Sequence, residues 1–148
     1  MIVGVGTDLL EIARIMSILE QGTGRRFLER VLTPAERCLA DRRQKRLAEF
    51  VAGRFAAKEA VVKALGCGLG KLVSLQDIEV LPDSLGKPVC RISEAAWQRL
   101  GMRPAELGKG QGGIILHLSI SHSETMAMAY AVAEQVDSPP GARGRSGP

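Results

Sequence analysis

The 148 residues are 45% hydrophobic and 24% charged, with a formal net charge of +4; this fits one domain with its own core and excludes a fibrous or wholly disordered chain. Aromatic residues make up only 3% (Phe27, Phe50, Phe55, Trp97 and Tyr130), so packing falls to aliphatic side chains and stacking platforms for single-stranded nucleic acid are scarce. Cys38, Cys67 and Cys90 are widely spaced without a CxxC pattern, which argues against a disulfide framework or a zinc knuckle and for a reducing cytoplasm.

The N-terminus, MIVGVGTDLLEI, has no basic leader, and no apolar run in the chain approaches membrane-spanning length, so neither export nor insertion is expected. Residues 2 to 10 read as a strand, with Val3, Val5, Thr7 and Leu9 on one face and Gly4, Gly6 and Asp8 on the other. Asp8 therefore stands on a face cleared of bulk. From Ile12 to about Ala40 the pattern is helical in short pieces, broken at Gly22 to Gly24. It restarts at TPAE, where Thr33 is the N-cap, Pro34 the first helical residue and Glu36 the capping-box partner.

Residues 44 to 65 form the longest helical candidate, closed by Gly66. Leu47, Phe50, Val51, Phe55, Val61, Val62 and Leu65 make one broad stripe, and alanines with Gly53 cover much of the rest. A helix so free of polar cover belongs at the centre of a fold. It nevertheless carries Arg54, Lys58, Glu59 and Lys63, and an unpaired buried ion is costly, so each needs a partner or a use. One such reading is an internal ladder from Glu59 to Lys63 at i, i+4.

Strands are expected at 78 to 81 and 89 to 92 around the turn PDSLGKP, followed by a short helix from 93 to about 100. Two alternating strands, 114 to 120 and 126 to 133, are joined around SHSE, which places His122 in the turn. Residues 1–136 are expected to form one domain, and 137–148, rich in Pro, Gly, Ser and Arg, a disordered tail.

Several sequence motifs can be set aside. GVGTDL lacks the third glycine and the helix entry of a dinucleotide fingerprint, and no GxxxxGK[ST] is present. His117 and His122 are spaced wrongly for a ligand pair. The basic residues between Arg37 and Arg54 suit either an acidic partner or a solvated surface. Asp8 and Glu59 are the informative carboxylates. A hard cation such as Mg²⁺ takes one or two protein carboxylates, waters and substrate phosphates, and neighbouring lysines neutralise phosphate charge. On residue types alone, a phosphohydrolase or a non-enzymatic oligomeric module remains open.

GVGTDLLEIARI (4–15), FLERVLTPAE (27–36), RFAAKEAVVKALG (54–66), LGKP (85–88) and LSISHSETMAMAYAVAE (118–134) together resemble the holo-acyl-carrier-protein synthases, the small group of the 4′-phosphopantetheinyl transferases. The resemblance spans nearly all of the chain to about Glu134. It implies an α/β (α+β) phosphopantetheinyl transferase fold, a small antiparallel sheet packed on a long central helix, assembled as a homotrimer with sites at subunit interfaces. It also implies transfer of the 4′-phosphopantetheine arm of coenzyme A to a serine of apo-acyl carrier protein, releasing 3′,5′-ADP, for fatty-acid or polyketide synthesis. Carried over by motif, Asp8 and Glu59 resemble the Mg²⁺ ligands and Lys63 the residue that meets the pyrophosphate or the attacking hydroxyl. Arg14, Arg25 and Arg26 resemble the surface for the acidic carrier protein. Arg54, Gly86, Lys87, Pro88 and His122 resemble positions that hold the nucleotide, partly across an interface. Lys58 and Arg54 are expected to pair within the site or at the trimer seam, and neither nucleic acid nor membrane is an expected partner. The group that takes the serine proton stays open among a metal-bound water, Glu59 and Lys63. Phe55 stands where the motif often has Trp, an exchange expected to preserve packing.

Overall fold

The computed structural model describes residues 1–138, so the expected tail lies, apart from Asp137 and Ser138, outside the described residues. A first strand, β1 (Ile2–Glu11), leads into three short helices, α1 (Ile12–Glu20), α2 (Gly24–Val31) and α3 (Pro34–Ala40). The long helix α4 (Leu47–Ala64) follows, then the hairpin β2 (Ile78–Pro82) and β3 (Pro88–Ile92), helix α5 (Glu94–Leu100), and the strands β4 (Gly113–His122) and β5 (Met126–Val136). The larger sheet is antiparallel in the order β1-β5-β4, and β2-β3 forms a separate pair. This is the expected α+β arrangement of small antiparallel sheets on a central helix.

Two elements depart from expectation at their ends. Helix α4 begins at Leu47, because residues Gln44–Arg46 form a tighter 3-10 turn in which Gln44 has a φ of 25°. His122 is the last residue of β4, paired with Ala127, rather than part of the turn. The reversal is confined to residues 123–125, where Ser123 closes the hairpin through its amide to Met126 O at 2.9 Å and its Oγ accepting from Met126 N.

Small residues decide how α4 meets the sheet. A Cβ built on Gly6 would lie 1.9 Å from the Ala60 carbonyl oxygen, and one on Gly4 would lie 1.8 Å from that of Ala64. No side chain fits there, so helix backbone packs directly on strand backbone. The inner face of β5 follows the same logic, since Ala127, Ala129, Ala131 and Ala133 are fully buried. Two apolar clusters share α4, one on its C-terminal half and one on its N-terminal half. One joins Val61, Val62, Val73, Ile78, Val80 and Trp97, and the other Ile12, Ile15, Val31, Leu32, Phe50 and Val51.

The capping box predicted at TPAE is present. Thr33 Oγ1 accepts from Glu36 N at 3.3 Å, and Glu36 Oε2 accepts from Thr33 N at 2.7 Å. Glu36 is also fully buried, which a cap on a surface helix need not be. The cause is Lys58, equally buried, whose Nζ lies 2.8 Å from Glu36 Oε2. Lys58 is therefore an interior residue, not a component of the Asp8 and Glu59 cluster, and its pairing expected within the site is corrected here. Burial depresses its pKa, and Glu36 partly restores it.

Candidate active site

The strand face cleared by Gly4 and Gly6 turns Asp8 towards α4, and α4 presents Glu59 and Lys63 one turn apart. Lys63 reaches across to β1, where Nζ donates to Thr7 O at 2.8 Å and to Asp8 Oδ1 at 3.1 Å. The ladder from Glu59 to Lys63 is thus replaced by a bond between elements, because the strand carbonyl and the Asp8 carboxylate lie together within one reach of the ammonium. Burial, and then the neighbouring Asp8 carboxylate, push the Glu59 carboxyl above its ordinary range, and Lys63 offsets this only in part. Two carboxylates that repel each other beside a single lysine form a site that a cation stabilises. Among the described residues no group of three or more His, Cys, Asp and Glu side chains is gathered, so a metal held here would meet two carboxylates. That suits a hard, partly hydrated divalent ion rather than zinc.

A cleft of about 580 Å³ opens beside Glu59. Phe27 and Val31 of α2, Phe55 of α4, and Leu69 and Leu75 of the segment after it make it largely apolar, and Arg30 also lines it. Phe55 lies one turn before Glu59 and is only half buried, so it shapes this cleft as well as packing the core. Sequence reasoning missed the cleft. The available signal was the placement of two of only three phenylalanines at the ends of the matched motifs.

The remaining expected site residues fall into three groups. Arg54 lies towards the β2–β3 hairpin: its Nε donates to Val80 O at 2.9 Å and its guanidinium lies over the Phe50 ring at 4.4 Å. Burial lowers its pKa, with Glu36 opposing and Arg43 adding to the effect. In the turn of that hairpin, Asp83 Oδ1 accepts from the amides of Leu85 and Lys87, Gly86 adopts a φ of 86° that favours glycine, and Pro88 opens β3. His122 forms the second group, with Nε2 3.3 Å from Glu49 Oε1. Glu49 precedes Glu59 by ten residues, about 15 Å along a helix axis. Within one chain His122 is therefore not part of the Asp8 cluster. The third group, Arg14 on α1 with Arg25 and Arg26 on α2, is exposed, and Arg25 pairs with Glu29.

Known proteins resemble this chain over most of its length. A family model described as the 4′-phosphopantetheinyl transferase superfamily matches residues 4–108. A curated relative from Geobacillus kaustophilus, named holo-[acyl-carrier-protein] synthase, is 44% identical over 137 residues, 92% of this chain and 92% of its own. A crystal structure of a holo-(acyl-carrier-protein) synthase from Bacillus anthracis in complex with CoA (3′,5′-ADP) aligns with a TM-score of 0.73 at 44% identity, covering 92% of this chain and 99% of that one. The corresponding Neisseria meningitidis structure gives 0.75 at 34% identity, covering 90% and 99%.

Proposed function

The chain belongs to the 4′-phosphopantetheinyl transferase superfamily, and from that premise we propose that it is a holo-[acyl-carrier-protein] synthase. It transfers the 4′-phosphopantetheine of coenzyme A to a serine of apo-acyl carrier protein. The serine hydroxyl gives up its proton, ultimately to solvent, as its oxygen bonds to the β-phosphorus; the bond from that phosphorus to the bridging oxygen breaks, and 3′,5′-ADP leaves with the oxygen and the electron pair. The observation that carries this reading is the Asp8, Glu59 and Lys63 cluster, of which Glu59 also lines an apolar cleft, in a chain similar over nine tenths of its length to proteins bearing that name.

Asp8 and Glu59 are the residues that would hold Mg²⁺, and the ion would relieve the repulsion that Asp8 exerts on the Glu59 carboxylate. When bound, Mg²⁺ supplies neutralisation of pyrophosphate charge and of the leaving group. Lys63, half exposed and anchored by Thr7 O and Asp8, adds a fixed positive charge where phosphate oxygens arrive. Catalysis is then mostly positioning and charge stabilisation. The cleft beside Glu59 receives the acceptor side, and exposed Arg14, Arg25 and Arg26 on the adjoining helices meet the acidic carrier protein. Arg54, the Gly86-Lys87-Pro88 turn and His122 hold the nucleotide.

The separation of His122 from Glu59 along α4 supports a site completed by a neighbouring copy, in a homotrimer. The outer face of the larger sheet supports the same assembly, since Val5, Leu9, Met128 and Tyr130 are 49%, 62%, 42% and 43% exposed on adjacent strands. No helix among the described residues is long and apolar enough to cross a membrane. The three cysteines are free thiols, which fits action in the cytoplasm, supplying carrier protein for fatty-acid or polyketide synthesis.

Intact mass spectrometry of an apo-acyl carrier protein, incubated with this protein, coenzyme A and Mg²⁺ with and without EDTA, tests the proposal. The expected result is a metal-dependent gain of one phosphopantetheine. No gain on any of several carrier proteins, from folded enzyme, overturns it.

A further inference from the structure

Lys58 occupies a position in the fold that its stabilising role alone does not explain. Its Nζ has three protons, and all three are used: by Glu36 Oε2 at 2.8 Å, by Val31 O at 2.7 Å and by Leu75 O at 2.9 Å. Both oxygens of Glu36 are engaged as well, because its Oε1 accepts from Val80 N at 2.8 Å and its Oε2 from Thr33 N as well as from Lys58. Val31, the last residue of α2, and Leu75, in the 3-10 turn before β2, both line the cleft beside Glu59 and give it two walls from separate elements, and Lys58 immediately precedes Glu59. One buried ammonium therefore bonds the backbone of both walls to the helix that carries the carboxylate.

The two walls are also tied to each other. Gln76 Nε2 donates to Glu29 O, Arg30 O and Leu32 O, joining the end of α2 to the turn that contains Leu75. Gln76 joins wall to wall, whereas Lys58 joins the walls to α4. The Asp8, Glu59 and Lys63 cluster, in contrast, is held by the close backbone contact of β1 with α4 at Gly4 and Gly6 and does not depend on Lys58.

We propose that Lys58, with Glu36, is a positioning residue that sets the acceptor cleft at a fixed distance from the catalytic cluster, acting on acceptor binding and not on the chemical step. The proposal rests on the function given above. Loss of the clamp frees the walls but leaves the carboxylates in place, so the Michaelis constant for carrier protein changes while turnover does not.

The test is the double variant Lys58→Met with Glu36→Gln, which removes both charges together, since removing one alone strands the other in the core. Two readouts are taken on folded protein. Amide hydrogen exchange is expected to quicken in residues 28–32 and 72–77 and to stay unchanged in α4 and β1. The KM for apo-carrier protein is expected to rise at least tenfold, with kcat within about threefold of wild type and the KM for coenzyme A little changed. Faster exchange with both KM and kcat unchanged makes the pair merely structural and overturns the proposal. So does a fall in kcat at unchanged KM, or unaltered exchange in the walls. A wild-type protein that transfers nothing overturns the function and the positioning role together, and is told apart because it fails before any substitution.

Discussion

Lys63 Nζ lies 3.1 Å from Asp8 Oδ1 across 55 residues of sequence, and the contact depends on glycine. Strand β1 approaches α4 closely enough for the bond only because Gly4 and Gly6 leave room for the carbonyls of Ala64 and Ala60. The carboxylate and the ammonium sit at the edge of that seam, partly open to solvent. A pair of this kind contributes little to folding, about 0–1 kcal/mol, so its substitution separates chemistry from stability.

Asp8→Asn is accordingly expected to leave the unfolding midpoint nearly unchanged and to lower kcat for transfer about a hundredfold or more, the scale for loss of a preorganised charge at a reacting phosphate. Steady-state transfer beside urea unfolding checks both halves. Full activity in this variant removes Asp8 from the site.

Gly6→Ala should do the opposite. Its new methyl would meet the Ala60 carbonyl oxygen at 1.9 Å, and neither backbone can move without opening the seam between β1 and α4. A loss of about 3 kcal/mol or more is expected, at the upper end for overpacked cores, accompanied by loss of activity as Asp8 is carried away from Glu59. Gly22→Ala, with nothing within 4 Å of the added carbon, is the control and should remain within about 0.5 kcal/mol of wild type. Urea denaturation of both variants decides the matter.

Much of this seam was legible in the sequence. Alternation placed Asp8 with Gly4 and Gly6, and the alanine-rich run marked α4 as central, because both patterns are local and periodic. The partners of the charges on α4 were not legible. A helix rule favours Glu59 for Lys63, but the strand offers an acceptor carbonyl and a carboxylate together. Lys58 looks like a site residue in a motif, yet its partner Glu36 comes from a capping box 22 residues away, which local pattern reads as a surface helix start. The cleft escaped for a related reason. Phe27, Phe55 and Leu75 come from three elements, and periodicity does not say which elements meet.

Asp77 carries a pH dependence whose sign follows from its hydrogen bonds. Burial by itself would raise its pKa, but Ser93 Oγ, the Ser74 amide and hydroxyl, and Arg99 all donate to the carboxylate and hold it down, at about 2 against an ordinary 3.8. A depressed folded-state pKa means that stability is present above the unfolded value and is lost as pH falls through the folded one. Asp77 should therefore contribute about 1–2 kcal/mol above pH ~4, after discount for its partial exposure, and almost nothing at pH ~2. Urea midpoints of wild type and Asp77→Asn across that range are expected to differ at neutral pH and to converge in acid. Parallel curves would show that the ionised carboxylate is not what stabilises the turn before β2.

The distance of His122 from Glu59 gives the proposed trimer a test in mixed assemblies. If Glu59 of one copy and His122 of its neighbour complete one site, Glu59→Gln removes the first contribution and His122→Ala the second, each in its own copy. When the two variants are unfolded together and reassembled in equal amounts, a whole site forms wherever a His122→Ala copy offers Glu59 to a Glu59→Gln copy that offers His122. Random closure of a cyclic oligomer makes that about one interface in four. Activity near a quarter of wild type is therefore expected from the mixture, well above the mean of the two variants measured separately. Activity equal to that mean would place Glu59 and His122 in sites that one chain completes alone, and the exposed Val5, Leu9, Met128 and Tyr130 face would then need another explanation.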